Sequence, residues 1–211
     1  MNNNYRMIAV TLYGLEEILA KELRLLGAQK INILNRAVEF YGDLGFMYKA
    51  NLNLRTAIRI LKPIFSFRAM NENELYSKIN SFNWQQYINV TDTFAIYTSG
   101  YSETFSHTHY TSLKAKDAIV DLFRDKYNKR PSVKIENPDI QINIYVNKHN
   151  FSVSLDSSGE SLHKRGYKVS TVEAPISEVL AAGLILLSGW NKIDDFYDPM
   201  CGSGTILIEA A

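Results

Sequence analysis

The sequence predicts an α+β N-terminal region followed by the opening of an α/β, doubly wound domain. Three observations carry that prediction. Over roughly the first third, apolar spacing runs strand, helix, strand, strand, helix, strand, the order of a split, ferredoxin-like sandwich. The middle holds one long amphipathic helix and a hairpin pattern. The last residues read as strand, glycine loop and helix start.

Each element has a local cause. "RMIAVTL" reads as a strand, and "GLEEILAKELRLLGA" as a helix with Leu15, Ile18, Leu19, Leu23 and Leu26 on one stripe and Gly27 as its stop. "KINILN" and "AVEFYG" are strands separated by the turn-prone pair Asn35 and Arg36. "LGFMYKANLNL" is a second helix. "AIRILKPIFSFRA" is strand-like, and its Pro63 predicts an edge or a bend. "NENELYSKINSFNW" opens on asparagine caps and predicts a short helix. "TFAIYTSGY" alternates as a strand should. In "YTSLKAKDAIVDLFRDKYN" the apolar face is Ala115, Ala118, Ile119, Leu122 and Phe123. "QINIYVN" and "FSVSLDSS", joined by a short polar turn, predict a hairpin. The polar "SGESLHKRGYKVS" reads as a connector. After it, "ISEVLAAGLILLSGW" is an apolar helix introduced by Pro175, expected to lie against a parallel sheet once the doubly wound domain is complete. "IDDFY" predicts a buried strand, and "TILIEAA" the first turns of a helix.

Composition narrows the function classes. The chain has 211 residues, 46% of them hydrophobic, enough for one or two cores. Its net charge of +1 gives no global field for nucleic acid, so any basic surface must be local. A single cysteine, Cys201, rules out an intrachain disulfide and a cysteine-rich zinc site. No metal is expected, because His107 and His109 have no acidic or cysteine ligands near them at metal spacing. The N-terminus has no apolar signal core, and "VLAAGLILLSGW" is too short to span a bilayer. A reducing, cytoplasmic setting without membrane contact is expected.

The closing string "DPMCGSGTILIEAA" carries the chemistry. Gly202 and Gly204 permit close approach of backbone to a ligand, and the helix start behind them presents free N–H groups. Asp198 stands where a strand-end carboxylate meets the polar part of a cofactor. A phosphate loop would need a lysine after Gly204, where Thr205 stands. The dinucleotide pattern would need a third glycine where Leu207 stands.

The string resembles motif I of class I S-adenosylmethionine-dependent methyltransferases, in the form used by THUMP-domain RNA methyltransferases. "LHKRGYKV" followed by "APISEVLAAGLILLSGW" resembles that family's entry into the catalytic domain. "LKAKDAIVDLF" and "INIYVNKHNFSVSLDSSG" resemble the THUMP domain. Within the family, the likeness is nearest to bacterial enzymes that methylate guanine N2 in large-subunit ribosomal RNA.

The resemblance implies a ferredoxin-like domain over 1–66, a THUMP RNA-binding domain over 67–158, and a connector plus the truncated start of a Rossmann-like methyltransferase domain over 159–211. It implies S-adenosylmethionine as cofactor, contacted by Asp198, Pro199, Cys201, Gly202, Ser203, Gly204 and Thr205. It implies structured RNA, ribosomal in this family, as partner. Lys114, Lys116, Lys164, Arg165, Tyr167 and Lys168 are the candidate RNA contacts, four lysines and an arginine in THUMP-like or connector positions with a tyrosine able to stack on a base. The family's Asn/Asp-Pro-Pro-aromatic motif for the target base does not occur in the sequence. The catalytic residues are therefore expected beyond Ala211, and these residues alone are expected to be inactive. Two other readings stay open: a stand-alone RNA-binding module without catalysis, and a DNA adenine-N6 methyltransferase.

Overall fold

The computed structural model describes residues 4–105, 107–168 and 175–211. They form two compact units, residues 1–61 with 160–211, and residues 62–159. The end of the connector string, from Val169, lies outside the described residues.

The first unit is built from β1 (Tyr5–Val10), α1 (Glu16–Leu26), β2 (Gln29–Leu34), β3 (Ala37–Gly42), α2 (Leu44–Asn53) and the first residues of β4 (Arg59–Arg68). The strand order is β2-β3-β1-β4, with β1 antiparallel to both neighbours. Strand alternation puts Met7, Ala9, Val38, Phe40 and Ile60 in one buried cluster with Leu19, Leu23 and Ala50 of the helices. Gly27 closes α1 at φ 99°, a left-handed cap that a side chain would strain. Asp43 caps α2 by accepting from the Phe46 N–H at 2.8 Å. Pro63 lies two residues beyond Leu61, where the register with β1 ends, so its missing N–H costs that ladder nothing.

The second unit orders its strands β4-β8-β7-β5-β6, from β5 (Thr93–Tyr101), β6 (Ser132–Val133), β7 (Ile140–Asn147) and β8 (Asn150–Asp156). β7 and β8 form the expected hairpin, turning at Lys148, which takes φ 56°. β5 and β7 are parallel, and α4 (Thr108–Tyr127) lies between them in sequence as their crossover. α3 (Glu72–Asn80) is capped by Asn71. Trp84, Phe94, Ile119, Phe123, Ile144 and Phe151 lie in one core. Burying each such side chain contributes roughly 1.5–3 kcal/mol. Gly100 sits at φ +105°, where an added Cβ would stand 2.0 Å from the Val146 carbonyl oxygen. Only glycine permits β5 and β7 to approach there. The two-residue β6 has no period long enough to be read from sequence.

One expectation for the last fifty residues needs correction. "IDDFY" forms no strand: residues 191–198 are irregular, with Ile193 and Tyr197 more than four-fifths exposed. Asn191 instead organises a turn, accepting from the N–H groups of Ile193 and Asp194 at 2.9 and 3.0 Å. An extended run needs a neighbouring ladder to satisfy its backbone, and no described strand pairs with it. The apolar helix does form, as α5 (Glu178–Ser188). It buries Val179, Ala181, Ala182 and Ile185. Among the described elements it packs against α1 and α6 (Thr205–Ala210). Leu15 presses against Gly183, so closely that a Cβ there would fall 2.5 Å from a Leu15 methyl. Leu184 and Leu187, off the buried face, are exposed.

Candidate cofactor loop and nucleic-acid interface

The turn before α6 is a tight glycine loop. The Asp198 carboxylate accepts from the Met200 N–H at 3.1 Å, and the Gly204 N–H donates to the Cys201 carbonyl at 2.7 Å. Gly202 (φ +52°) and Gly204 (φ +73°) are left-handed, and a Cβ on either would meet nothing within 4 Å. Side chains are therefore absent where a ligand could approach the backbone most closely. The Ser203 and Thr205 hydroxyls are 3.1 Å apart, with Thr205 buried and Cys201 exposed. Asp198, Pro199, Cys201, Gly202, Ser203, Gly204 and Thr205 thus form one continuous loop. Two glycines facing open space, with a carboxylate and two hydroxyls along one turn, fit a polar cofactor.

Directly behind the loop, Glu209 of α6 is nearly buried, its side chain 3% exposed. One of its carboxylate oxygens accepts from Arg165 at 2.8 Å and from Arg55 at 3.3 Å, and the other accepts from the Tyr167 hydroxyl at 2.8 Å. Arg55 also donates to the Glu209 carbonyl, and Arg165 to the Arg55 carbonyl at 2.6 Å. Glu22 of α1 extends the network, accepting from the N–H groups of Arg55 and Thr56 at 3.0 and 3.1 Å. Two arginines around one carboxylate leave little of its charge unsatisfied, which is the condition for burying it. Burial, reinforced by Glu209, pushes the Tyr167 phenol well above its ordinary pKa.

The connector candidates divide. Arg165 and Tyr167 are engaged by Glu209. Lys168 pairs with the Glu178 carboxylate at 2.9 Å and donates to the Ile176 carbonyl at 3.1 Å. Burial would raise the Glu178 pKa, but the Lys168 hydrogen bond and charge outweigh it and hold the carboxyl below its usual range. Lys164 is the exposed one, in a loose 3.6 Å pair with Glu160.

The two α4 lysines do not converge. Lys114 lies over the Tyr76 ring at 5.5 Å. That phenol donates to Asp121 at 2.8 Å, and its pKa is pushed up to about 12, by burial first and then by the Asp121 carboxylate. Lys116 pairs with Asp117 at 2.8 Å and borders a separate groove of about 300 Å³ with Tyr97, His109 and Ser112. Residues two apart on a helix point to different sides, which accounts for the split. Arg55, Glu22 and Glu209 are participants that sequence reasoning missed as a set. Only Glu209 had a local signal, its place in the closing string.

Among the described residues, no group of three or more His, Cys, Asp or Glu could hold a metal, and no helix is long and apolar enough to cross a membrane. Three family profiles match in order: an RlmL ferredoxin-like domain over residues 6–61, a THUMP domain over 69–156, and an RMKL-like methyltransferase domain over 165–211. A Synechocystis protein provisionally named an RNA methyltransferase is 42% identical over 197 residues, 93% of this chain and 51% of its own length. A Listeria monocytogenes structure, provisionally named an N6-adenine-specific DNA methylase, aligns at TM-score 0.84 and 33% identity, over 99% of this chain and 55% of its own. A third relative, provisionally a methyltransferase and crystallised with SAH, aligns at TM-score 0.82 and 33% identity, over 100% of this chain and 55% of its own. The chain spans about half the length of these relatives.

Proposed function

The chain belongs to the THUMP-domain methyltransferases, and from that premise we propose that it supplies the RNA-docking region and the cofactor loop of an S-adenosylmethionine-dependent RNA methyltransferase. The observation that carries this reading is the loop from Asp198 to Thr205, with both glycines left-handed and open. The relative crystallised with SAH supports the cofactor, and the THUMP match together with the Synechocystis relative supports RNA. The finer assignment is guanine N2 in large-subunit ribosomal RNA, which rests on the likeness to bacterial enzymes of that activity, in a reducing, cytoplasmic setting, which rests on the single cysteine. We divide the chain at 1–66, 67–158 and 159–211. The change of compact unit after residues 61 and 159 falls near the two boundaries of that division, with 160–211 joining 1–61 in one unit.

When bound, S-adenosylmethionine supplies an electrophilic methyl group on a sulfonium. The residues that would hold it are Asp198, Pro199, Cys201, Gly202, Ser203, Gly204 and Thr205. The glycines admit it to the backbone, and Asp198 and the Ser203–Thr205 hydroxyls offer polar partners. Cys201 lines the loop and is not required as a nucleophile, because the acceptor is a base nitrogen. The gain in rate comes from orienting an exocyclic amine against the methyl group. A paired base must first leave its stack. Lys114, Lys116 and Lys164 serve as phosphate contacts, which position RNA without reading its sequence. Arg165, Tyr167 and Lys168 act chiefly by fixing the connector, since their polar atoms are already engaged.

The test is methyl transfer from labelled S-adenosylmethionine by the protein that contains this chain, offered large-subunit ribosomal RNA and DNA separately. N2-methylguanosine in the RNA digest is the expected product. Label appearing as N6-methyladenine in DNA would overturn the RNA reading and favour the activity in the Listeria relative's name.

A further inference from the structure

In the second unit, the sheet turns one face toward its core and leaves part of the other open. Register alone identifies the open rows. Ser99 pairs with Tyr145, which pairs with Ser152, and Tyr101 pairs with Asn147, which pairs with Asn150. Residues cross-paired in a sheet project to the same side. Their neighbours Ile144, Val146, Phe151 and Val153 project to the other side and are buried. On the open side Tyr101 is 71% exposed and Tyr145 52%. Tyr145, Asn147, Asn150 and Ser66 border an open depression of about 390 Å³.

This patch is aromatic, amide-bearing and uncharged. Ser99, Tyr101, Tyr145, Asn147, Asn150 and Ser66 include no carboxylate. Cations stand at one end. Lys148 donates its backbone N–H to the Tyr101 carbonyl at 2.9 Å, and the residue after Arg68 donates to the His149 carbonyl at 3.0 Å. Both Lys148 and Arg68 are exposed. Glu103, two residues past Tyr101, is the acidic residue closest to Tyr101 in sequence. On β5, Tyr97 borders a different groove, shared with Lys116.

We propose that this face binds a short single-stranded stretch of RNA, with bases stacked on Tyr145 and Tyr101, their edges met by Asn147 and Asn150, and the phosphates drawn to Lys148 and Arg68. The proposal rests on the RNA reading above and adds the strandedness of the bound segment and the residues that hold it. Exposed tyrosines offer a π-face to any base. Asparagine side chains carry both a donor and an acceptor, as base edges require. The serines Ser66, Ser99 and Ser152 on this face are of a type depleted at protein interfaces, and charge at one end suits a polyanion.

The experiment is fluorescence anisotropy of the 211-residue chain with a labelled single-stranded oligoribonucleotide and with the same sequence as a duplex, at several salt concentrations. Tyr145→Ala and Tyr101→Ala should each weaken single-strand binding by about fivefold to a hundredfold, the range for losing one base stack. The salt slope should stay unchanged, because no phosphate contact is lost. Tyr145→Phe should restore affinity, and Lys148→Ala should flatten the slope. Alanine variants that bind as the wild type does, or a phenylalanine that fails to rescue, would overturn the stacking face while leaving RNA binding intact. A wild-type chain that binds neither oligonucleotide would remove the RNA reading itself, and this proposal with it.

Discussion

The Glu209 carboxylate accepts a hydrogen bond from the Arg165 guanidinium at 2.8 Å, joining the helix behind the glycine loop to the connector 44 residues earlier. Arg55, from the N-terminal sandwich, closes the same carboxylate from another side. Removing one member of a buried pair is costly because the others stay desolvated. Glu209→Ala should cost about 3 kcal/mol, since it strands both arginines and Tyr167. Arg165→Ala should cost about 1.5 kcal/mol, as Arg55 and Tyr167 still satisfy the carboxylate. The double variant should cost less than the sum. Urea midpoints of the three variants decide it, and a Glu209→Ala shift below about 0.5 kcal/mol would mean the network does not hold.

The Glu178–Lys168 pair predicts an acid-sensitive contribution. Glu178 has a folded pKa below its unfolded value, so its contribution is complete above the unfolded value, about 4.3, and is lost as pH falls through the folded one. The stability gap between wild type and Glu178→Gln should therefore be constant from pH 7 to about 5 and shrink below about 4.3. Thermal melts across that range measure it. A gap that widened on acidification would contradict the assigned direction.

Gly100 gives the sharpest backbone prediction. Gly100→Ala places a Cβ against the Val146 carbonyl at a left-handed φ, so it should cost at least about 3 kcal/mol and disrupt β5–β7 pairing. Gly159→Ala, also left-handed but open, should cost only about 1 kcal/mol. Equal losses at the two sites, read from denaturant midpoints, would show that the close approach is not present.

These positions also show what the sequence encodes locally. The α1 stripe ending at Gly27 and the β7–β8 alternation around Lys148 state their geometry within a few residues, so both were legible. The loop from Asp198 to Thr205 was legible for the same reason, since glycine spacing marks backbone conformation. The Arg55–Glu209 contact joins residues 154 apart, and neither has a periodic neighbour that points to the other. "IDDFY" misled because its composition suits a buried strand while strand formation depends on a partner. Lys114 and Lys116 looked like one basic cluster in sequence, and helical geometry sent them to different sides.

The most direct test of the account is equilibrium binding of the chain to a folded fragment of large-subunit ribosomal RNA, measured across salt beside a DNA duplex of equal length. The RNA should bind more tightly than the DNA. Replacing Lys114 and Lys116 together by alanine should weaken binding and reduce the slope of log affinity against log salt by just under about two units, near 0.9 per lost phosphate contact. Equal affinity for RNA and DNA, or an unchanged slope in the double variant, would contradict the assignment of this chain as the RNA-docking part of a methyltransferase.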